Sequence, residues 1–183
     1  MIKKSIIGLI LGFVVLIGPL SAENFLFEIN SHYFIPTEQA FKDVYGNGFR
    51  YGAELAVRVL GDLDVWLGGD LFLKNGELTF TKEETELRVI PVMAGLKYRL
   101  PVGSFDLYLA AGASYCFYNE ESALGATTDS GIGVVGRLGT LIKVVGGLVI
   151  DLSFKYSYIP FDFPTVDVDI GGLEAGLGIG YRF

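Results

Sequence analysis

His32 is the only histidine of the chain and the residue best suited to acid–base chemistry. A serine–histidine catalytic pair needs a hydroxyl within hydrogen-bond reach of the imidazole and a further group that orients the ring. Ser31 is adjacent, but alternation along a strand points its side chain to the opposite face. Ser157 shares the orientation of His32, yet it belongs to a strand that is not predicted to neighbour the first one. We therefore interpret His32 as a hydrogen-bonded structural residue and predict no catalytic residue and no enzymatic activity.

Metal and cofactor chemistry also lacks a matching pattern. Cys116 is the only cysteine, so it can form neither an internal disulfide nor a cysteine-rich metal site. The glycine run 176–180 lies inside a predicted strand, whereas a phosphate loop connects a strand to a helix. Carboxylates cluster in two predicted loops, but their spacing matches no calcium-binding loop, so we predict solvated charges and neither a metal nor a cofactor. The clusters are Glu77, Glu83, Glu84 and Glu86 with Lys82, and Asp162, Asp167 and Asp169.

The composition favours strands and tight turns over helices. Hydrophobic residues make up 51% of the 183 residues, aromatic residues 14%, and 25 residues are glycine. The formal net charge is −7 and no lysine–arginine cluster occurs, which argues against a nucleic-acid partner.

The beginning of the chain has the pattern of a secretory signal peptide. Two lysines precede an apolar stretch, residues 5–19, and the small residues Ser21 and Ala22 follow it. The apolar stretch is shorter than the ~20 residues that a membrane-spanning helix needs. We predict cleavage after Ala22, so that residues 1–22 are a signal peptide and residues 23–183 form one exported domain.

Beyond residue 23, apolar residues alternate with other residues over segments of strand length, and helical periodicity is nearly absent. The predicted strand cores are 25–35, 49–59, 65–73, 90–98, 105–117, 132–142, 148–158 and 173–183. Long connections (36–48, 74–89, 118–131, 159–172) alternate with short ones (60–64, 99–104, 143–147). Consecutive strands therefore form an antiparallel meander, and an even number of them can close without a free edge.

The two faces of these strands differ in charge. One face carries no charged residue in any of the eight cores. The other face carries six acidic and six basic residues: Glu28, Glu54, Asp70, Asp106, Asp151, Glu174, Arg50, Arg58, Lys97, Arg137, Lys155 and Arg182. A soluble eight-stranded barrel would have to hold the bulky apolar face inside, where the narrow lumen has no room for it. We therefore predict that the apolar face contacts lipid and that the twelve charges pair in a lumen network.

Aromatic residues occur near both ends of the outward face, with aliphatic residues between them, as in transmembrane barrels. This arrangement puts the short turns on the periplasmic side and the long loops outside. Trp66, Phe72, Met93 and Tyr108 add bulk to the inward face, so we predict a filled lumen. Pro91 removes a backbone donor from the fourth strand and is the one feature that favours a lateral gap.

The signal, the alternating chain and the terminal Tyr-x-Phe resemble the small bacterial outer-membrane β-barrel family, which includes the barrels of outer membrane proteins A, W and X. Segments similar to members of this family are FKDVYG (41–46), ELTFTKEET (77–85), GLKYRLPVG (95–103) and GGLEAGLGIGYRF (171–183). The resemblance implies an integral outer-membrane protein of a Gram-negative-type envelope, surrounded by outer-membrane lipids. It also implies a C-terminal signal for the barrel-assembly machinery, carried by Leu177, Ile179, Tyr181 and Phe183.

We predict an all-β protein, an eight-stranded antiparallel up-and-down transmembrane barrel that is monomeric and has a plugged lumen. Its predicted role is structural or surface-interactive, through four acidic extracellular loops. Two alternatives stay open. One is a narrow channel for small apolar solutes, which the resemblance to outer membrane protein W implies. The other is a lipid A-modifying enzyme that uses His32.

Overall fold

The computed structural model describes residues 24–77, 84–122, 125–163 and 166–183. The predicted signal peptide, residues 1–22, lies outside these ranges. The secondary-structure elements are β1 (Phe25–Pro36), α1 (Gln39–Tyr45), β2 (Gly48–Leu60), β3 (Leu63–Glu77), β4 (Glu84–Val102), β5 (Phe105–Ser122), β6 (Gly125–Lys143), β7 (Leu148–Tyr158), β8 (Pro160–Phe163), β9 (Val166–Asp169) and β10 (Gly172–Arg182).

Eight of these strands form a closed antiparallel barrel in the order β1-β10-β7-β6-β5-β4-β3-β2. The last strand seals the barrel against the first, with Phe27 opposite Tyr181 and Ile35 opposite Leu173. Closure leaves no edge strand within the barrel wall. The predicted fold class and the predicted pairing of the two terminal strands are confirmed.

Side chains alternate between the two faces of the wall as the sequence predicts. In β1, Phe27 and Ile29 are exposed, whereas Leu26, which precedes Phe27, and Glu28, which lies between the two, are buried. The same alternation covers all of β7, where every second side chain from Val149 onward is buried. Because side chains on a strand alternate with a period of two, one phase fixes the orientation of the whole strand.

The strands on one side of the barrel are longer than predicted. β3 has 15 residues, β4 and β6 have 19 each and β5 has 18, and together they occupy most of the segments predicted as the second and third long loops. Hydrophobic alternation could not reveal these extensions, because above Phe117 the outward residues turn polar, as at Asn119 and Glu121. The extensions form a four-stranded sheet that projects beyond the apolar belt, so the second and third connections are extended hairpins and not irregular loops.

The first and fourth long connections fold over the mouth of the barrel on the side of the long connections. The first contains α1, whose Phe41 and Tyr45 are buried. The fourth contains the two-stranded hairpin of β8 and β9, which pairs Phe161 with Val168. Within the described part of the chain, no helix is long and apolar enough to cross a membrane.

Candidate functional site

The twelve predicted inward charges all lie on the lumen side of the wall, and a central network forms around Arg137. The Arg137 guanidinium donates to Glu54 at 2.6 Å and to Glu28 at 2.9 Å, and it also contacts Asp151. Lys97 donates to the second oxygen of the Glu54 carboxylate. These side chains are nearly inaccessible to solvent, and each charge directly contacts at least one opposite charge.

A second set of ion pairs, the outer network, lies toward the end that carries the long connections, which is the predicted extracellular end. Arg50 donates to one carboxylate oxygen of Glu174 at 2.9 Å. The Lys155 ammonium lies 2.9 Å from the other oxygen of Glu174 and also contacts Asp70. The Arg50 guanidinium carbon lies 3.4 Å from the centre of the Phe34 ring. Two cations and two carboxylates therefore balance, and an aromatic ring covers them on the extracellular side.

The opposite end, which has the short turns and is the predicted periplasmic end, holds two smaller clusters, each centred on one aspartate. Asp64 accepts a hydrogen bond from Arg99 at 2.7 Å and lies 3.5 Å from Arg58. Asp106 forms an ion pair with Lys143 at 2.6 Å and accepts a hydrogen bond from Arg182 at 2.9 Å.

Three members of these periplasmic clusters are not among the predicted inward charges: Asp64, Arg99 and Lys143. Each lies one residue beyond a predicted strand core, and each has the inward phase of that core. Continuing the alternation by one residue would have found them. They were missed because the predicted cores ended too early, although the next outward residues, Leu63, Leu100 and Val144, are still apolar.

His32 has a hydroxyl partner, but this partner is neither Ser31 nor Ser157. Its Nε2 lies 2.9 Å from Oγ of Ser153 on β7, although β10 runs between β1 and β7. Gly176 of β10 lies directly between the two, and a Cβ there would come within 2.5 Å of the His32 ring. The absence of a side chain at Gly176 is therefore what lets the imidazole reach Ser153. Ser157 is buried elsewhere on β7 and makes no hydrogen bond to His32.

The His32–Ser153 pair lacks the other features of a catalytic site. The second ring nitrogen, Nδ1, has no hydrogen-bond partner among the described residues, so no carboxylate orients the ring. Both residues are almost completely buried within the lumen. A substrate in the lipid phase would have to pass through the wall to reach them.

Apolar side chains occupy the lumen on both sides of the central network. The outer cap lies at the extracellular mouth and consists of Phe34, Phe41, Tyr45, Phe72, Leu87, Val89, Cys116, Tyr118, Ile159, Phe161 and Ile170. The inner cluster consists of Leu26, Ala56, Trp66, Met93, Tyr108, Ala110, Val135, Leu141 and Val149. The outer cap includes residues of α1 and β8, so both folded connections take part in closing the mouth.

The void between the central network and the outer network is very small. It measures about 10 Å³ and is bordered by His32, Trp66, Asp70 and Met93. A buried water needs roughly 10–15 Å³. At this level of the barrel, side chains fill the cross-section almost completely.

Pro91 interrupts the ladder between β3 and β4. Gly69 pairs with Val92 and Phe72 pairs with Val89. Between these two pairs, Asp70 and Leu71 of β3 form no bridge with Pro91 and Ile90 of β4. On its other side Pro91 pairs with Cys116 of β5 in an unbroken ladder. Proline has no backbone N–H, so the loss of hydrogen bonding faces β3 alone.

Neither acidic cluster gives evidence of a metal site. Glu86 and Asp169 have described side chains, whereas those of the other members lie outside the described residues. Among the residues that the structure describes, no group of three or more histidine, cysteine or acidic side chains is arranged to hold a metal ion. Cys116 is fully buried in the outer cap as a free thiol.

The closed eight-stranded wall, its apolar exterior and its charged interior define the class of the transmembrane β-barrels. No family model matches the chain, and no curated protein matches it. Several solved structures, however, are similar to the chain.

Neisserial surface protein A superimposes with a TM-score of 0.70 at 16% identity, over 91% of this chain and 100% of that one. The attachment invasion locus protein Ail of Yersinia pestis gives a TM-score of 0.58 at 19% identity, over 87% and 99%. Outer membrane protein W of E. coli gives 0.55 at 14% identity, over 89% and 99%.

The chain therefore has the fold of the small eight-stranded outer-membrane barrels, as its sequence resemblance implied. With an apolar belt that only lipid can solvate, it is an integral protein of the outer membrane.

Proposed function

We propose that the protein is a closed outer-membrane barrel that acts at the cell surface through its extracellular sheet and connections, and that it neither conducts solutes nor catalyses a reaction. The observation that carries this proposal is the filling of the lumen. The outer cap, the two ion-pair networks and the inner cluster together occupy the lumen. Eight strands leave an interior that side chains can fill, and this chain supplies side chains of the required bulk.

The charge of the extracellular residues supports an interaction with a cationic partner surface. Among the described residues on that side, acidic side chains outnumber basic ones: Glu38, Asp43, Glu86, Glu120, Glu121, Asp129 and Asp169 against Lys42, Lys74 and Arg88. Ail was solved in complex with the heparin analogue sucrose octasulfate, a polyanion. Because an acidic surface has the same sign of charge as a polyanion and repels it, we propose a surface-interaction role for this chain without that ligand class.

The burial of His32 and Ser153 supports a non-enzymatic role. A catalytic pair must reach its substrate, and these two side chains are enclosed by the outer network and the barrel wall. We propose that their hydrogen bond ties β1 to β7 across β10.

A narrow path for small apolar solutes is the second candidate. The interrupted ladder at Pro91 supports it, since fewer hydrogen bonds hold β3 to β4 at that level. The side chains next to the interruption argue against it, because Asp70 is buried there in contact with Lys155. An apolar molecule entering at this point would meet an ion pair.

Reconstitution in planar bilayers tests the proposal. The folded barrel, verified by its altered gel mobility before and after heating, should give no stable conductance steps, whereas an open porin in the same membrane should. Liposome swelling with a small apolar solute tests the second candidate in parallel. Stable steps or solute-dependent swelling would contradict the closed-barrel function.

A further inference from the structure

The periplasmic end of the barrel contains a cavity of about 270 Å³ beneath the β6–β7 turn. Lys143 at the end of β6 and Arg182 at the end of β10 line one side of it, and turn residues 144–149 line the other. The backbone N–H of Arg182 donates to the carbonyl of Gly147 at 2.8 Å, which holds the end of β10 against the turn. Gly147 has a φ of +87°, a conformation that favours glycine.

Two cations beside this cavity share one carboxylate side chain. Lys143 and Arg182 both contact Asp106, at 2.6 and 2.9 Å. The lysine and arginine side chains are 38% and 23% exposed, whereas the Asp106 side chain is 2% exposed. The cations therefore face water and the carboxylate lies behind them.

The central and outer networks contain at least as many carboxylates as cations. In the central network, three carboxylates face two cations, and the outer network has two of each. At the second periplasmic cluster, Asp64 likewise contacts two cations, Arg58 and Arg99, but neither of these side chains lines the cavity. Lys143 and Arg182 are the two cations that line it.

The opposite side of the cavity is apolar and continues into the lipid-facing belt. Val144 and Val145 are 51% and 77% exposed, and Leu148 is the first outward residue of β7. Tyr181 lies beside Leu148 in the neighbouring strand, in the aromatic girdle of the periplasmic side. A molecule in this cavity would therefore meet cations at one end and apolar side chains at the other.

We propose that this cavity binds the phosphate of a phospholipid headgroup from the periplasmic leaflet. Lys143 and Arg182 hold the phosphate oxygens by charge-assisted hydrogen bonds, in which both residues are effective donors. Val144, Val145 and Leu148 lie along the glycerol and the first part of an acyl chain. The occupant is a lipid and not a free anion because the cavity is continuous with the established lipid-contacting surface.

The test uses the full-length mature barrel refolded in dodecyl maltoside, with dimyristoylphosphatidylglycerol as the probe. Binding is followed by the amide NMR shifts of Gly146 and Gly147. The lipid should cause saturable shifts, and Lys143→Gln should weaken its apparent affinity at least about fivefold, whereas Lys143→Arg should restore it. Lys42→Gln, which removes a lysine at the opposite end of the barrel, is the matched control and should leave the affinity unchanged.

Inorganic phosphate at equal concentration separates the lipid from a simple anion and should bind much more weakly. Three outcomes would overturn the proposal: no saturable shift with the lipid, equal affinity for inorganic phosphate, or equal weakening by Lys42→Gln. Lys143 is 38% exposed, so we expect its variants to fold, and the gel-mobility shift on heating verifies this for each sample.

Discussion

At the scale of single residues, the inward charges differ greatly in how much the barrel depends on them. Arg137 contacts three carboxylates and its side chain is 5% exposed, whereas Arg58 contacts one carboxylate and is 31% exposed. Removing one member of a buried ion pair leaves its partner charged and unpaired, which costs ~3–5 kcal/mol. A partly exposed pair is screened by water and contributes about 1 kcal/mol or less.

We therefore expect Arg137→Leu to lower the free energy of unfolding by ~3–5 kcal/mol and Arg58→Leu by no more than about 1 kcal/mol. Urea unfolding in lipid vesicles measures both. Trp66, the only tryptophan, is buried in the lumen and reports the transition by its fluorescence. Lys42→Gln on α1 serves as the control. Equal destabilisation by the two arginine variants would contradict the role given to the central network.

At the scale of elements, β10 has two separate tasks. Its inward glycines make room for side chains of β1, as Gly176 does for His32 and Gly178 does for Glu28. Its outward residues face lipid, and Tyr181 packs edge-to-face against Phe183 with ring centres 4.9 Å apart. The first task concerns stability of the closed barrel. The second includes the proposed C-terminal assembly signal of Leu177, Ile179, Tyr181 and Phe183.

These two tasks can be separated by experiment. We expect Phe183→Ala to lower the amount of folded barrel in the outer membrane of living cells several-fold, while refolding of the purified chain into detergent stays efficient. Leu173→Ala is the matched control, because Leu173 has the same outward orientation on β10 and precedes the proposed signal. If both variants assemble like the unchanged protein, the assembly-signal hypothesis is wrong.

At the scale of the whole molecule, the barrel is asymmetric along its axis. The β3–β6 sheet, α1 and the β8–β9 hairpin all extend from one end, and two- to four-residue turns close the other. Transmembrane barrels of this class place short turns in the periplasm and long connections outside. The asymmetry therefore predicts the orientation of the protein in the membrane.

Cysteine labelling of intact cells tests this orientation. A bulky maleimide that cannot cross the outer membrane should react with Thr127→Cys, at the tip of the projecting sheet. It should react with Val145→Cys, in the β6–β7 turn, only after the membrane is permeabilised. The native Cys116 is completely buried and should give little background. The reverse pattern would contradict the predicted orientation.

The sequence by itself determined the barrel, the phase of each strand and the identity of most inward charges. A strand's side chains alternate with a period of two, so a run such as Phe27, Ile29 and Tyr33 already establishes which residues face lipid. The same run indicates that Glu28 and His32 face the lumen. The ends of the strands were less predictable, because polar residues outside the membrane carry no alternating signal.

Only the tertiary structure decided which inward groups meet. Arg137 reaches Glu28 and Glu54 across the lumen, and His32 reaches Ser153 over Gly176, two strands away. The outer cap likewise joins α1, β8 and the upper barrel wall. Such contacts depend on how the closed wall staggers its strands and on which side chains leave space between them. Both are properties of the whole circumference, so no local pattern in the sequence specifies them.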